Sequence, residues 1–256
     1  MICEKIVNTN IMFCYTNKEM EWDVLNQLKQ HNVLVSSEQI NKMHIYKFHS
    51  HRFFCLPLLL KDFDFKFRCL HGKDIFIDRY NKLPHDNWQE LIDHWSCHKS
   101  EFKTVNKLKC EFFPSRILCS DFYCIFYKKD LPECCQTKNL EESQKMFYNE
   151  LYTGHNSDYF IYKFFEDCFN RFYSFSLKLK GDIYEFKSFG TCILEKNSNE
   201  NNIAFKIGFK TSNKHDHISE INEYFENEIF LQINKNKLNI KVCNYDISFI
   251  EHNFNR

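Results

Sequence analysis

Residues 63–80 read FDFKFRCLHGKDIFIDRY, and the fold class is decided here. Phe63, Phe65, Phe67 and Cys69 alternate with Asp64, Lys66 and Arg68, the period-two pattern of a strand with one buried and one wetted face. A break containing Gly72 follows, and then a second aromatic and β-branched run, KDIFIDRY. Runs of the same kind lie on both sides. MHIYKF and RFFCLPLL come before it, and RILCSDFYCIFY, DIYEFKSFGTCIL, NIAFKIGFK, EIFLQI and LNIKVCNYDISFI come after it. So many short strands with tight breaks predict an α+β fold of mostly antiparallel strands with a few packed helices.

The helices are expected where the apolar period changes. Met20, Val24, Leu25 and Leu28 predict one over Asn17 to His31, with Asn17 as cap. Trp88, Leu91, Ile92 and Trp95 share one face between Pro84 and Lys99, begun by Asp86 with Gln89 three residues on. Others are expected over Asn139 to Tyr152, over Tyr159 to Phe172 and, briefly, over His217 to Phe225. NSNENN (197–202) reads as a loop and not a linker, and no repeat divides the chain. Residues 1–256 are therefore read as one domain, divided loosely near 155 into a cysteine-bearing front half, 1–155, and a strand-rich back half, 156–256.

Charge and composition exclude several functions. Thirty-four basic residues balance thirty-four acidic ones, so no global positive field holds nucleic acid or an anionic membrane. The longest apolar run, FFCLPLLL from Phe53 to Leu60, is too short to span a bilayer, and charged residues interrupt the opening segment. These features predict an intracellular protein, cytoplasmic or nuclear, with no membrane or direct nucleic-acid partner. Thirteen cysteines in a reducing compartment read as core residues, metal ligands or reactive thiols, and not as disulfides. No Gly-x-Ser-x-Gly elbow, Walker loop or Gly-x-Gly-x-x-Gly occurs, so hydrolytic and nucleotide-dependent chemistry finds no support.

One stretch is specific. LPHDNWQELIDHWSCHKSEF, Leu83 to Phe102, sets Leu83, Pro84, Asn87, Trp88, Trp95, Cys97, His98 and Phe102 at fixed offsets around a helix of about three turns. This pattern resembles the central signature of the HECT-like ubiquitin-conjugating-enzyme-binding family. KFRCLHGKDIFIDR resembles that family's Cys-x-x-Cys-Gly turn, with Gly72 in place, His71 where the second cysteine stands and Arg68 at the position of the first. ECCQTKNLEE falls where many members carry a second Cys-x-x-Cys, of which adjacent Cys134 and Cys135 are present. The resemblance implies a protein that binds ubiquitin-conjugating enzymes and acts as, or assists, a ubiquitin ligase. A fungal branch is tied instead to pre-mRNA cleavage and polyadenylation through the endonuclease subunit, and this is the alternative function.

Zinc takes four Cys and His ligands from two converging segments. Cys69 and His71 on a turn, with Cys97 and His98 at the end of the signature helix, form such a set, and Gly72 allows the tight turn of a metal knuckle. Since Arg68 replaces a ligand, Cys110, Cys134 or Cys135 is an open candidate for a missing donor. The bland reading makes Cys69 and Cys97 small buried hydrophobes and the histidines surface residues. Cys97 as a thioester-forming nucleophile ranks below metal ligation, because such a thiolate must be exposed and activated. Trp88 and Trp95 read as core, the lysines at 99, 103, 107 and 109 as a solvated face, and the HDH of 215–217 as a weak second cluster. Cys119 and Cys124, read as one strand, point to opposite faces and make a poor joint site. Alkylation of the denatured protein, prepared without reductant and protected from adventitious oxidation, is expected to find all thirteen thiols free; a clearly smaller number would show that disulfides belong to the native state.

Overall fold

The computed structural model describes residues 1–54, 67–82, 114–195, 201–213 and 221–252. The fold is α+β with mostly antiparallel sheets. Sixteen strands are described: β1 Ile2–Ile6, β2 Thr9–Thr16, β3 Asn32–Ile40, β4 Met43–Phe54, β5 Phe67–Cys69, β6 Asp74–Ile75, β7 Arg79–Lys82, β8 Arg116–Cys119, β9 Tyr123–Tyr127, β10 Ser143–Phe147, β11 Leu151–Tyr152, β12 Ser174–Leu179, β13 Asp182–Glu195, β14 Asn201–Thr211, β15 Leu238–Val242 and β16 Tyr245–His252. The α-helices among the described residues are α1 Trp22–Lys29, α2 Ser157–Arg171 and α3 Glu223–Lys235. The chain forms two compact units. The first comprises 1–62, 158–218 and 223–256, and the second 63–157 with 219–222.

A nine-stranded sheet builds the first unit, in the order β15-β16-β14-β13-β1-β2-β4-β3, with β12 also paired to β13. β13 serves two neighbours in turn, because its ladder shifts between Ser188 and Thr191 where Gly190 takes φ +107°. That left-handed conformation is cheap only for glycine, and it lets one strand pair with β12 through its first half and with β1 through its second. One sheet face joins Tyr15, Met43 and Ile45 to Leu238, Ile240, Ile247 and Phe249 in a single buried cluster. β15 packs on β4 there, so the sheet curls and its two ends share a core.

The opposite face carries α2. Phe165 lies 5.4 Å from Phe186 and 5.4 Å from Phe175 by ring centroids, and Tyr162 stacks on Phe205 at 4.7 Å. Edge-on and offset ring contacts of this kind add to the burial of large apolar area. On the curled face a buried carboxylate, Glu4, accepts from Tyr15 Oη at 2.5 Å and from Lys206 Nζ at 2.7 Å. The group's desolvation is offset by those two donors, so the pair fixes the register of β1, β2 and β14 more than it adds stability.

The second unit is assembled from short strands, in a four-stranded sheet β10-β9-β8-β7 and a three-stranded sheet β11-β5-β6. β7 and β8 pair parallel, while the other pairs in these two sheets are antiparallel. Phe67 of β5 meets Phe126 of β9 edge-on at 5.7 Å, which joins the two small sheets.

Several expectations are corrected. Asn139 to Tyr152 is not a helix: Ser143–Phe147 is β10, a single 3-10 turn follows at Tyr148–Glu150, and Leu151–Tyr152 is β11. Gln144 and Met146 alternate inward and β9 supplies the whole ladder, so tertiary pairing overrides a helical spacing in which Leu140 proves fully exposed. EIFLQI is not a strand but the body of α3, which buries Phe225, Ile229, Gln232 and Ile233 at helical spacing. The first helix is shorter than expected and begins after Glu21, without Asn17 as its cap. Cys119 and Cys124 sit on two adjacent strands, directly opposite in register, and not on two faces of one strand. The helix expected over Pro84 to Lys99, with Trp88 and Trp95, lies outside the described residues, as do the lysines at 99, 103, 107 and 109, the HDH of 215–217 and residues 197–200 of NSNENN. Phe165→Ala is expected to destabilise the first unit by about 3–5 kcal/mol, since it empties the ring cluster under α2; denaturant unfolding measures this, and a loss within experimental error would place the core elsewhere.

Candidate metal centre

The centre lies in the second unit and is built from two turns. β5 ends at Cys69 and β6 begins at Asp74, so a short hairpin loop carries Leu70, His71 and Gly72. Cys69 N–H donates to Lys73 O at 2.9 Å, and Gly72 N–H donates to Cys69 O at 2.8 Å. Gly72 closes the loop at φ +81°, where a side chain would be strained. Cys69 and His71 thereby stand on one tip, two residues apart. β11 pairs with β5 at Leu151 and Cys69, and the Cys69 side chain is buried.

The second turn begins at Pro132. A 3-10 turn spans Glu133–Cys135, closed by Cys135 N–H donating to Pro132 O at 2.8 Å. Buried Gln144 of β10 then clamps the exit: its Nε2 donates to Cys135 O at 2.6 Å, and its Oε1 accepts from Thr137 N–H at 2.8 Å. Gln136 Nε2 reaches back to Leu131 O at 2.7 Å, and Leu131 is buried. Both ends of the segment are therefore tied to backbone, which aims Cys134 and Cys135 at the hairpin tip.

Cys69 Sγ lies 3.9 Å from Cys134 Sγ, Cys134 Sγ lies 3.8 Å from Cys135 Sγ, and Cys135 Sγ lies 3.8 Å from His71 Nδ1. All four donor atoms fall within 4.8 Å of one another. A tetrahedral ion bound at about 2.3 Å to sulfur sets its sulfurs about 3.8 Å apart, and a nitrogen donor about 3.6 Å from each. Three of the six edges lie at 3.8–3.9 Å and the rest within 4.8 Å, so Cys69, His71, Cys134 and Cys135 could hold a metal ion. Three sulfurs and one imidazole are soft donors, which suit zinc, copper(I) or iron and not calcium or magnesium.

The protonation of the two inner thiols fits this role. Burial pushes the Cys69 thiol up, but backbone N–H groups of Lys73 and His71, with the Cys135 and His71 side chains, pull it down to about 7. Burial pushes Cys135 up to about 12, and the neighbouring Cys69 and Cys134 add to it. The hairpin backbone thus favours the thiolate at Cys69, and a bound cation would favour it at Cys135. Packing as small hydrophobes does not explain the set, because His71 and Cys134 are exposed.

Of the four expected ligands, Cys69 and His71 are brought together, and their partners are Cys134 and Cys135. Cys97, His98 and Cys110 lie outside the described residues. Two buried cysteine pairs form across strands: Cys3 opposite Cys14 at 2.9 Å between sulfurs, which the sequence reading missed, and Cys119 opposite Cys124 at 3.4 Å, which it placed on opposite faces of one strand. Neither gathers a third ligand among the described residues. Cross-strand register created both, and sequence spacing carries no such signal.

Beside the hairpin runs a groove of about 910 Å³ whose wall includes Leu70, His71, Phe76 and Tyr152. Three of these are large and exposed, Leu70 at 53%, Phe76 at 82% and Tyr152 at 58%. Arg68 and Asp74 in the same wall pair with each other at 2.8 Å. No protein-family model, curated protein or solved structure matches the chain. Elemental analysis of the purified protein is expected to find one metal ion per chain, and Gln144→Ala to weaken its binding by about 10–100-fold through the loosened Cys135 segment; a metal-free protein would overturn the assignment.

Proposed function

We propose that this chain is a zinc-stabilised adaptor of the ubiquitin pathway that binds a ubiquitin-conjugating enzyme and presents it to a client. The observation that carries the zinc part is the gathering of four Cys and His donors within 4.8 Å of one another, three neighbouring pairs of them at 3.8–3.9 Å. Structural zinc sites use four protein ligands, whereas catalytic ones keep a position open for water or substrate. Zinc is preferred over copper(I) and iron because an imidazole beside three thiolates is among its common ligand sets.

The ubiquitin part rests on the signature from Leu83 to Phe102, supported by the knuckle at Cys69–Gly72 and by the place of Cys134 and Cys135. An exposed apolar groove next to a rigid metal-tied hairpin is the kind of surface on which a protein partner docks. Since Arg68 and Asp74 neutralise one another, the groove favours an uncharged, apolar segment of that partner. Within the centre no thiol is left as a nucleophile for ubiquitin transfer, because each sulfur has a place in the ligand set. The covalent-transfer reading rests on Cys97 of the signature.

The test uses the purified full chain and a conjugating enzyme charged with ubiquitin. Faster discharge, unchanged in Cys97→Ser and lost in Phe76→Asp, is the result expected of an adaptor working through the groove. Loss of discharge in Cys97→Ser with zinc retained would make the protein a covalent ligase. No binding to any conjugating enzyme, together with co-purification of the cleavage and polyadenylation endonuclease subunit, would replace the ubiquitin reading by the mRNA 3′-end one. Cobalt(II) substitution is expected to give the intense visible bands of a tetrahedral thiolate site, and an octahedral spectrum would exclude the four-donor centre.

A further inference from the structure

The four donors differ sharply in access. Cys69 is buried under the pairing of β5 with β11, whereas Cys134 is exposed and Cys135 half-buried. A structural zinc site shields its sulfurs by burial, and this one leaves one sulfur at the surface with a buried sulfur 3.9 Å behind it. We propose that Cys134 is an oxidant-modification site, at which hydrogen peroxide converts the centre to a Cys69–Cys134 disulfide and releases the metal. This rests on the metal reading of the same four residues.

The chemistry balances without any further reactant. The Cys134 sulfur attacks one peroxide oxygen, the O–O bond breaks, and the departing hydroxide takes a proton to leave as water, giving a sulfenic acid at Cys134. Cys69 sulfur then attacks the Cys134 sulfur, the S–O bond breaks, and a second hydroxide leaves as water on protonation. Each sulfur gives up one electron, peroxide gains two, and solvent supplies two protons. His71 and Cys135 remain as donors, and two ligands do not retain the ion against water.

Geometry selects Cys69 as the second sulfur. Cys134 and Cys135 are as close, at 3.8 Å, but they are sequence neighbours inside a 3-10 turn held by the Pro132 carbonyl and by Gln144, and a disulfide between them must distort the intervening peptide. Cys69 and Cys134 lie on separate segments, 65 residues apart, and need only close to about 2.05 Å once the metal has gone. Cys3, Cys14, Cys119 and Cys124 are buried pairs with no exposed member, so peroxide has no entry there.

The experiment treats the zinc-loaded full chain with an about tenfold excess of hydrogen peroxide. Released metal is followed with a chromogenic chelator, and the quenched protein is mapped after trypsin. Cys69 falls on CLHGK (69–73) and Cys134 on DLPECCQTK (130–138), and fragmentation between Cys134 and Cys135 tells which is linked. The expected result is one zinc released per Cys69–Cys134 link, reversed by dithiothreitol with added zinc. Chain that keeps its zinc under peroxide, or that loses it with oxidation mapped at other cysteines or only to sulfinic acid, overturns the proposal while the metal reading stands. A chain holding no metal before treatment overturns the metal reading itself. Cys134→Ser, where it still binds zinc through Cys69, His71 and Cys135, is expected to release it at least about tenfold more slowly; where it does not bind, the wild-type map alone decides.

Discussion

Three sulfur atoms and an imidazole nitrogen within 4.8 Å of one another are the constraint that a single metal ion could satisfy where two short turns of the second unit meet. The strands that meet there are very short: β5 has three residues, and β6 and β11 two each. Ladders of that length do not hold a sheet by themselves. The hairpin tip belongs to the three-stranded sheet and the Pro132–Cys135 turn leads from β9 to β10 of the four-stranded one, so a bound ion would tie one sheet to the other. Its binding free energy would then be part of the unit's folding free energy.

The first unit is held by other means. Its sheet has nine strands, and aromatic rings fill the layer beneath α2, with Phe164, Phe165 and Phe186 among the most buried side chains. A core of this size needs no staple, and the cysteines within it, Cys3, Cys14, Cys168 and Cys192, are buried there as small apolar groups. Thirteen cysteines are therefore not one population. The same residue type packs the core of the first unit and, in the second, also gathers beside a histidine in a set that could hold a metal ion, and the neighbours of each thiol, more than its burial, separate the two uses.

Much of the site was half legible. Cys69, His71 and Gly72 sit in a pattern that a metal knuckle requires, and the backbone bonds of the hairpin explain why those spacings work: residue 69 closes the turn and residue 71 rides on its tip. Cys134 and Cys135 were visible as candidates, but adjacent cysteines separated by about sixty residues from the knuckle say nothing about whether the two segments meet. Gln144 left no trace as a clamp, because a buried glutamine on a strand is written in sequence like any polar residue. The reading of Asn139 to Tyr152 as helix failed for a related reason: its apolar residues fit a helical face, and only β9 on one side decides for a strand.

What the sequence determined by itself was local: alternation in FDFKFRC, helical period in the segment of α2, the obligatory glycine at 72, charge balance, and the absence of the motifs of nucleotide and hydrolytic enzymes. These follow from backbone sterics and from the two side-chain periods, which act between near neighbours. The tertiary structure alone decided which cysteines meet. Cys3 faces Cys14, Cys119 faces Cys124, and Cys69 with His71 faces Cys134 with Cys135 because strand register and chain crossing set distances between residues far apart in sequence. A thiol becomes core, cross-strand neighbour or metal ligand according to what is placed within about 4 Å of it, and such placement is a property of the folded chain.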